Sequence, residues 1–596
     1  MKASDLQQFG DWVSHHDWAE VLIDNNVQSA CDTFYNQLDS HMNQYFPIKK
    51  VKIHHRDKPW VIRKRQDAFI QGDKARWKLL RNQVQREIRN LKTEFYIGRV
   101  KHLKDENPAS WYKHIKLLTG NRSPPLEVIH DSCEANPEDL DAHTAEKIKS
   151  FFADVNADIP PLDRNALPAY LPSVQPAKQV NVWQVYNELK RIKPGKSGGP
   201  DGIPGRLIRE FAIFLATPLC HILNLSYATC SVPSCWKKAI LVPLPKESPP
   251  VTIDNLRPIS LTDHFAKIAE LFIAKQVINN ISAILDPMQY GCRTGLSTTH
   301  YLVDFINFLA KKADVPTNIS TVVCTDFKKA FDHVSHTVAI TKLIDLGVQP
   351  VVISWICDFL TEPSDHQDTL LNALSYLENR CEDNYVKLNA KKCVTFEVSF
   401  SKTTRSQPDI ELCQETVQQV NDTKILGITI QDTLKWDKHV DAIVSRANRR
   451  LFMLRSLKPF SCPPEDMILV FTGFIRPVLE YACQVWHSSL TQQQAKTIEG
   501  VQKRALRIIL SNQYISYQNA LSVTDLQTLS ERRVQLCLSF ARSAFKLNAV
   551  HGWFAPAEQR RELRKQRVCV EPRSRTTRMK NSPVPFFHRL LNEYGL

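Results

Sequence analysis

The run Ile319-Ser320-Thr321-Val322-Val323-Cys324-Thr325 is apolar and β-branched and ends on Asp326. β-Branched side chains are stiff at χ1 and sit well on a pleated backbone, so the run predicts a buried strand with a carboxylate emerging where it stops. The chain continues Phe327-Lys328-Lys329-Ala330-Phe331-Asp332. A carboxylate so placed can hold a divalent cation. Chemistry by two such ions a few ångströms apart needs at least one further carboxylate facing the first, because shared acidic ligands must neutralise the pair. The chain contains no Asp-Asp dipeptide. One half of a two-ion site is therefore legible and the other is not.

Other blocks flank this one in a fixed order. Lys193-Pro194-Gly195-Lys196-Ser197-Gly198-Gly199-Pro200-Asp201-Gly202-Ile203-Pro204 is followed by Trp236-Lys237 and by Leu241-Val242-Pro243-Leu244-Pro245-Lys246. Leu256-Arg257-Pro258-Ile259-Ser260-Leu261 and Gln289-Tyr290-Gly291-Cys292-Arg293-Thr294-Gly295 precede the Asp326 block, and Leu388-Asn389-Ala390-Lys391-Lys392 comes after it. Together, from about Trp183 to Leu510, these blocks resemble the reverse transcriptase of non-LTR (LINE-like) retrotransposons of the jockey and CR1 type. Chance supplies one such block readily and the whole series hardly at all.

The resemblance implies a fold: α/β with helical extensions, a right-hand polymerase of fingers, truncated palm and thumb. It also exposes a gap. In the family, a Gly-Pro-Gln-Gly-like loop and a Tyr-x-Asp-Asp hairpin lie between the Asp326 block and the Leu388-Asn389 block. Here Trp355-Ile356-Cys357-Asp358-Phe359-Leu360 resembles the family segment just before that loop, Pro363 to Lys392 resembles the segment just after the hairpin, and the join falls near Thr361. No glycine occurs between Gly347 and Gly427, so nothing in that span supplies the positive φ that a Gly-bearing template loop uses. The expectation is an internal deletion of the second half of the site.

Further implications attach to single residues. Asp326 is the metal-binding catalytic carboxylate, and Lys392 is the lysine placed near the leaving pyrophosphate, where an ammonium acts as general acid or electrostatic stabiliser. Lys246 and Arg257 flank the turn of a fingers hairpin built from Ile240 to Leu244 and Asn255 to Leu261, and contact the incoming triphosphate, Arg as a fork and Lys as a point charge. Phe331 packs under the sugar and discriminates against a 2′-hydroxyl. Arg293, between Gly291 and Gly295, approaches the template backbone. Mg2+ is the implied cofactor and RNA and DNA the implied partners, held through phosphates. Each position also has a plainer role: Lys246, Arg257 and Lys392 as surface cations, Arg293 as a turn cap, Phe331 as core, and Asp332 as the N-cap of a helix from His333 to Leu346.

Composition supports a packed protein with a polyanionic partner. The chain has 596 residues, 43% apolar, with 11 Trp and a formal net charge of +15; it exceeds a single ordinary core, and its basicity favours nucleic acid. The charge is clustered. Lys49 to Lys104 holds 18 Lys and Arg against 5 Asp and Glu, interleaved with Trp60, Trp77, Phe95 and Tyr96. The 15 cysteines show no Cys-x-x-Cys pair, and Cys230 with Cys235 lacks a partner pair for zinc, so reduced thiols are expected. Met1-Lys2-Ala3-Ser4-Asp5 opens without an apolar core of a signal peptide, and Phe211 to Val232, broken by Pro218, His221 and Asn224, reads as a buried helix. A nuclear or cytoplasmic protein with no membrane partner is expected.

These signals divide the chain into a basic helical arm over 1–110, read as a remnant beyond a missing endonuclease, and a Pro-rich connection over 111–178 with a helical stretch from Ala142 to Val155. Next come reverse transcriptase fingers and truncated palm over 179–433, a helical thumb over 434–545 and a basic tail over 546–596. Lys424 to Ile430 reads as one strand. Val440, Ile443, Val444, Ala447, Leu451 and Leu454 recur at helical spacing among Arg446, Arg449, Arg450 and Arg455, and Ala495 to Leu510 carries Lys496, Lys503, Arg504 and Arg507; these predict phosphate-gripping helices. Three functional readings stand: a polymerase by descent that lacks its second carboxylate motif, an active enzyme drawing that carboxylate from Asp358, Asp365, Glu382 or Asp383, and a non-catalytic nucleic-acid-binding protein.

Overall fold

The computed structural model describes residues 3–47, 90, 92–119, 147–148, 150–152, 162, 178–246, 253–315, 318–327, 334–361, 392–400, 411–412, 415–460, 462–554 and 568–596. The stretch that carries Phe331 and Asp332, the stretch that carries Asp365, Glu382 and Asp383, and most of the basic run after Lys49 lie outside the described residues. In chain order the principal helices are α1 (Ala3–His15), α2 (Ala19–Ile23), α3 (Val27–Tyr45), α4 (Pro108–Leu118), α5 (Val182–Arg191), α6 (Ala212–Thr229) and α7 (His264–Ile281). They continue with α8 (Thr298–Lys312), α9 (His336–Asp345), α10 (Pro350–Leu360), α11 (Asp437–Leu457), α12 (Gln492–Leu510), α13 (Leu529–Phe545) and α14 (Pro583–Tyr594). Among the described residues the strands are β1 (Ile240–Pro245), β2 (Leu256–Leu261), β3 (Ile319–Cys324), β4 (Val394–Ser399), β5 (Gln418–Gln419), β6 (Asp422–Ile425) and β7 (Ile428–Gln431), besides a short ladder of Glu411–Leu412 with Glu415–Thr416. Helix thus dominates the described residues, and the strands form small sheets.

The chain divides into two compact units, each assembled from separated stretches: Met1–Lys52, Ser123–Asp286 and Asp326–Asn389 in the first, Ile53–Arg122, Pro287–Thr325 and Ala390–Leu596 in the second. In the first unit α6 is central. Leu215, Leu219, Ile222 and Leu223 are fully buried, and the helix ends at Cys230, whose φ of 51 is left-handed. By length and composition α6 could cross a membrane, but more than half of it is buried in this core, as its interrupting polar residues imply. α1 and α3 close over it through an aromatic cluster in which Phe9 meets Trp12, Tyr45, Phe46 and Phe211. Trp236 is buried and its indole donates to the Tyr35 hydroxyl at 3.2 Å. α9 is capped by Ser335, whose hydroxyl accepts from the Val338 N–H at 3.3 Å. The helix starts three residues later than expected and Ser335 takes the capping part assigned to Asp332, because a serine at the first extended position satisfies the free N–H groups directly.

The second unit is built on α11, α12 and α13. All six apolar positions expected along α11 are buried. α12 begins on a capping box in which Thr491 and Gln494 satisfy each other's backbone N–H groups. The pair runs parallel: Gln494 donates to Asp437 at 2.8 Å, Arg504 to Asn448 at 2.9 Å, and Lys458 to Ser511 at 2.7 Å. One expected element differs. The strand expected from Lys424 to Ile430 is the hairpin β6–β7, with Leu426 at φ 46 and Gly427 at φ +91 between Ile425 and Ile428; two consecutive left-handed residues make the tight turn that reverses the chain. The basic tail ends in α14, whose Val584, Phe587, Leu590 and Leu591 are buried in the unit's core.

A buried polar lock ties the 90–106 region to the rest of this unit. The Tyr96 hydroxyl donates to Asp466, Lys104 pairs with the other carboxylate oxygen at 2.8 Å, and the Cys462 thiol reaches Tyr96 at 3.4 Å. A lone buried carboxylate would be costly; shared between a phenol and an ammonium it is satisfied.

Candidate active-site strand and nucleic-acid surfaces

β3 pairs antiparallel with β4 over six residues, from Ile319 opposite Ser399 to Cys324 opposite Val394. β4 in turn pairs parallel with β5, giving the order β3–β4–β5. The strand expected before Asp326 is therefore present and one residue shorter than expected. Its burial is not as expected: β3 is half-exposed along its length, with Val323 41% exposed, because among the described residues it lies at the edge of this sheet and β4 takes the core side through Phe396 and Val398. Sequence reasoning misses β4, although Val394, Phe396 and Val398 alternate with polar residues, the signal of a half-buried strand.

Asp326 is the second residue beyond β3 and is exposed; Lys392, also exposed, is the second residue before β4. The chain enters β4 at the end of the ladder where it leaves β3. Asp358, one of the acids weighed as a second carboxylate, is engaged in the first unit: it accepts from the Val232 N–H at 2.9 Å and pairs with Lys237 at 3.1 Å, joining α10 to the segment after α6. Among the described residues no group of three or more His, Cys, Asp or Glu is placed to hold a metal ion. The described residues thus do not by themselves supply the donor set of a two-ion site.

β1 and β2 form the expected hairpin, with Leu244 opposite Arg257, and the ladder extends one step further, the Lys246 N–H donating to the Asn255 carbonyl at 2.7 Å. Lys246 comes two residues after Leu244, so the period of the pleat puts it on the face of Arg257, as its diagonal neighbour. Both are exposed. The two cations do flank one turn.

The Gly-Gly-Pro-Asp-Gly stretch has a structural explanation. A Cβ on Gly199 would lie 2.5 Å from the backbone nitrogen of Asp263, just after β2. Only glycine permits that approach, which seats the loop against the hairpin's exit. The Asp201 N–H donates to the Asp263 carboxylate at 3.0 Å, and burial, then the neighbouring Asp263, pushes the Asp201 carboxyl up to about 7. Arg293 is half-buried and its guanidinium reaches the carbonyls of Pro287 and Gln289, both at 3.4 Å, which is the turn-holding role. In the second unit Arg446, Arg449 and Arg455 on α11 and Lys496, Lys503, Arg504 and Arg507 on α12 are exposed or half-exposed, whereas Arg450 turns inward and donates to the Phe474 carbonyl.

Residues 244–368 match the family described as reverse transcriptase (RNA-dependent DNA polymerase). The chain is 22% identical over 418 residues to the probable RNA-directed DNA polymerase from transposon BS of Drosophila melanogaster, covering 57% of this chain and 45% of that protein. It is 21% identical over 392 residues to the RNA-directed DNA polymerase from mobile element jockey of the same species, covering 52% and 42%. It is 25% identical over 309 residues to the retrovirus-related Pol polyprotein from type-1 retrotransposable element R1 of Bradysia coprophila, covering 47% and 29%. The chain spans less than half the length of these curated relatives. The sequence resemblance is borne out: the chain is similar to reverse transcriptases of non-LTR retrotransposons of the jockey and R1 kind.

Proposed function

We propose that this chain is, by descent, the RNA-directed DNA polymerase of a non-LTR retrotransposon, and that this copy binds nucleic acid without extending it. β1–β2 serve as the fingers hairpin, β3–β4 as the remaining part of the palm, and α11 with α12 as the thumb. One observation carries the reading: the motif series keeps its order from Lys193 to Lys392, and the Asp-Asp element that should share Mg2+ with Asp326 is absent from the sequence. Lys246 and Arg257 are matched to the triphosphate, Arg293 to the template, Phe331 to the sugar and Lys392 to the leaving group. In the family Mg2+ supplies the charge neutralisation, and a single carboxylate does not hold two such ions. Phosphate contacts by the exposed cations of α11 and α12 give affinity with little sequence preference.

The test is magnesium-dependent extension of a primed RNA template. Two-metal catalysis contributes many powers of ten in rate, so the parent protein should extend no better than Asp326→Ala. Extension well above that variant overturns the inactive reading and returns the active one, with its second carboxylate to be sought at Asp365, Glu382 or Asp383.

A further inference from the structure

A cleft of ≈ 360 Å³ opens in the second unit between α4 and the segment Phe471–Ile475, lined by Ala109, Tyr112, Lys113, Lys116, Gly473 and Phe474. Its walls are closely fitted. Phe471–Ile475 is a π-helical turn, a local widening of the helix that is often found at functional positions. Gly473 stands so close to α4 that a Cβ there would lie 2.9 Å from the Tyr112 hydroxyl. That hydroxyl donates to the Leu469 carbonyl at 3.4 Å, and Arg450 holds the Phe474 carbonyl from α11. The Tyr112 and Phe474 rings meet edge to face, 5.2 Å apart at 83°, and form two walls of a corner. Lys113 and Lys116 stand exposed at its rim, Lys116 over the Phe474 ring at 5.2 Å.

Among the described residues no acid lines this cleft. Two aromatic rings at a corner accept a flat π-system, and two ammonium groups at the rim accept a phosphate attached to it. The volume lies near the lower bound of small-ligand sites, about 300 Å³, enough for one nucleotide and too small for a duplex. We infer that this cleft receives one unstacked nucleotide of single-stranded nucleic acid, its base against Tyr112 and Phe474 and its phosphate at Lys113 and Lys116. The inference rests on the nucleic-acid reading above and adds a site to it that neither the polymerase motifs nor the helices α11 and α12 contain.

The experiment uses the full chain and short single-stranded oligonucleotides carrying 2-aminopurine, with matched abasic strands. The parent should bind the base-bearing strand about five-fold or more tighter than the abasic one, and 2-aminopurine fluorescence should be quenched on binding. Phe474→Ala should abolish that preference. Lys113→Gln with Lys116→Gln, two exposed positions that leave the core untouched, should weaken binding and lower the salt slope by roughly 0.7 for each phosphate no longer neutralised. If the parent binds but the lysine pair changes neither affinity nor slope, the cleft assignment is wrong while the nucleic-acid reading survives. If the parent binds no single strand at low salt, both fall. Free adenosine monophosphate displacing the strand at equal concentration would also overturn the assignment, since the cleft would then hold a free nucleotide.

Discussion

The carboxyls and histidines that burial shifts fall mostly in different units. In the first, burial raises carboxyls: Asp201 up to about 7, with Asp263, Asp39 and Glu270 shifted the same way. In the second, burial lowers bases: His439 and His487 are each held down to about 4, and His300 and His588 are also depressed. His264 is the exception in the first unit, lowered by burial among its acids. The signs come from linkage. A carboxyl raised in the fold disfavours the folded state as pH climbs from its unfolded value toward its folded one, whereas a histidine lowered in the fold contributes stability that is full above about 6.5 and lost as pH falls toward 4. The units, though built from one interleaved chain, should therefore respond to acid in opposite directions.

The largest expected effect is in the second unit. Between pH 7 and 4.5 its amides should lose hydrogen-exchange protection, His439 alone accounting for a change on the order of 3 kcal/mol across its full titration. His439→Gln keeps an acceptor for the Thr429 N–H, which His439 Nδ1 meets at 3.3 Å, and should remove much of that acid response. Equal protection of both units from pH 7 to 4.5 would break the comparison.

A smaller effect of opposite sense is expected in the first unit. Asp201→Asn mimics the protonated acid, keeping an acceptor for the Ile203 N–H and gaining a donor toward Asp263. The variant should be more stable than the parent at pH 8 by on the order of 1 to 3 kcal/mol, and indistinguishable near pH 3.5, where the parent's acid is largely protonated in either state. Denaturant titrations at the two pH values read this directly, and a parent that is the more stable at pH 8 refutes the buried-acid account.

The smallest effect on stability is expected at the exposed cations of α12. Replacing Lys496 and Lys503 by Ala should shift unfolding by less than about 0.5 kcal/mol each, as surface changes do. Their removal should nevertheless flatten the salt dependence of nucleic-acid binding by about 0.7 to 0.9 per phosphate released. A large drop in stability would mean that these side chains serve the core.

Local patterns are legible in the sequence and distant ones are not. The buried stripe of α11 is read from helical spacing and the strand before Asp326 from its β-branched run, whereas the β1–β2 hairpin is what the family resemblance implies. Gly427 marks a turn, yet the run around it reads as continuous because the flanking residues are equally strand-like. Asp332 suits an N-cap by residue type, yet Ser335, which sequence reasoning passes over, takes that place. Tyr96 meets Asp466 across 370 positions, a pairing that no local period reports. Arg533 looks like one more surface cation of a basic chain and is fully buried, its Nε donating toward His487 at 3.3 Å and its guanidinium 5.7 Å from the Trp486 ring. The shape of the cleft beside Tyr112 depends on a π-helical turn some 357 positions along the chain, at the distance of the Tyr112–Leu469 hydrogen bond, and no motif announces it.

The interleaving of the units sets a timetable for folding. The first unit is complete once residue 389 has been made, so it can close while synthesis continues. The second cannot: its earliest stretch, with Tyr96 and α4, must wait for Asp466 and then for α14, whose Phe587 and Leu591 finish the same core. Closing loops of that length before any contact rewards them is slow, and the apolar faces of α11 and α12 stay uncovered meanwhile. A chain cut short before α14 therefore has every residue of its first unit and leaves the core of its second without Phe587 and Leu591.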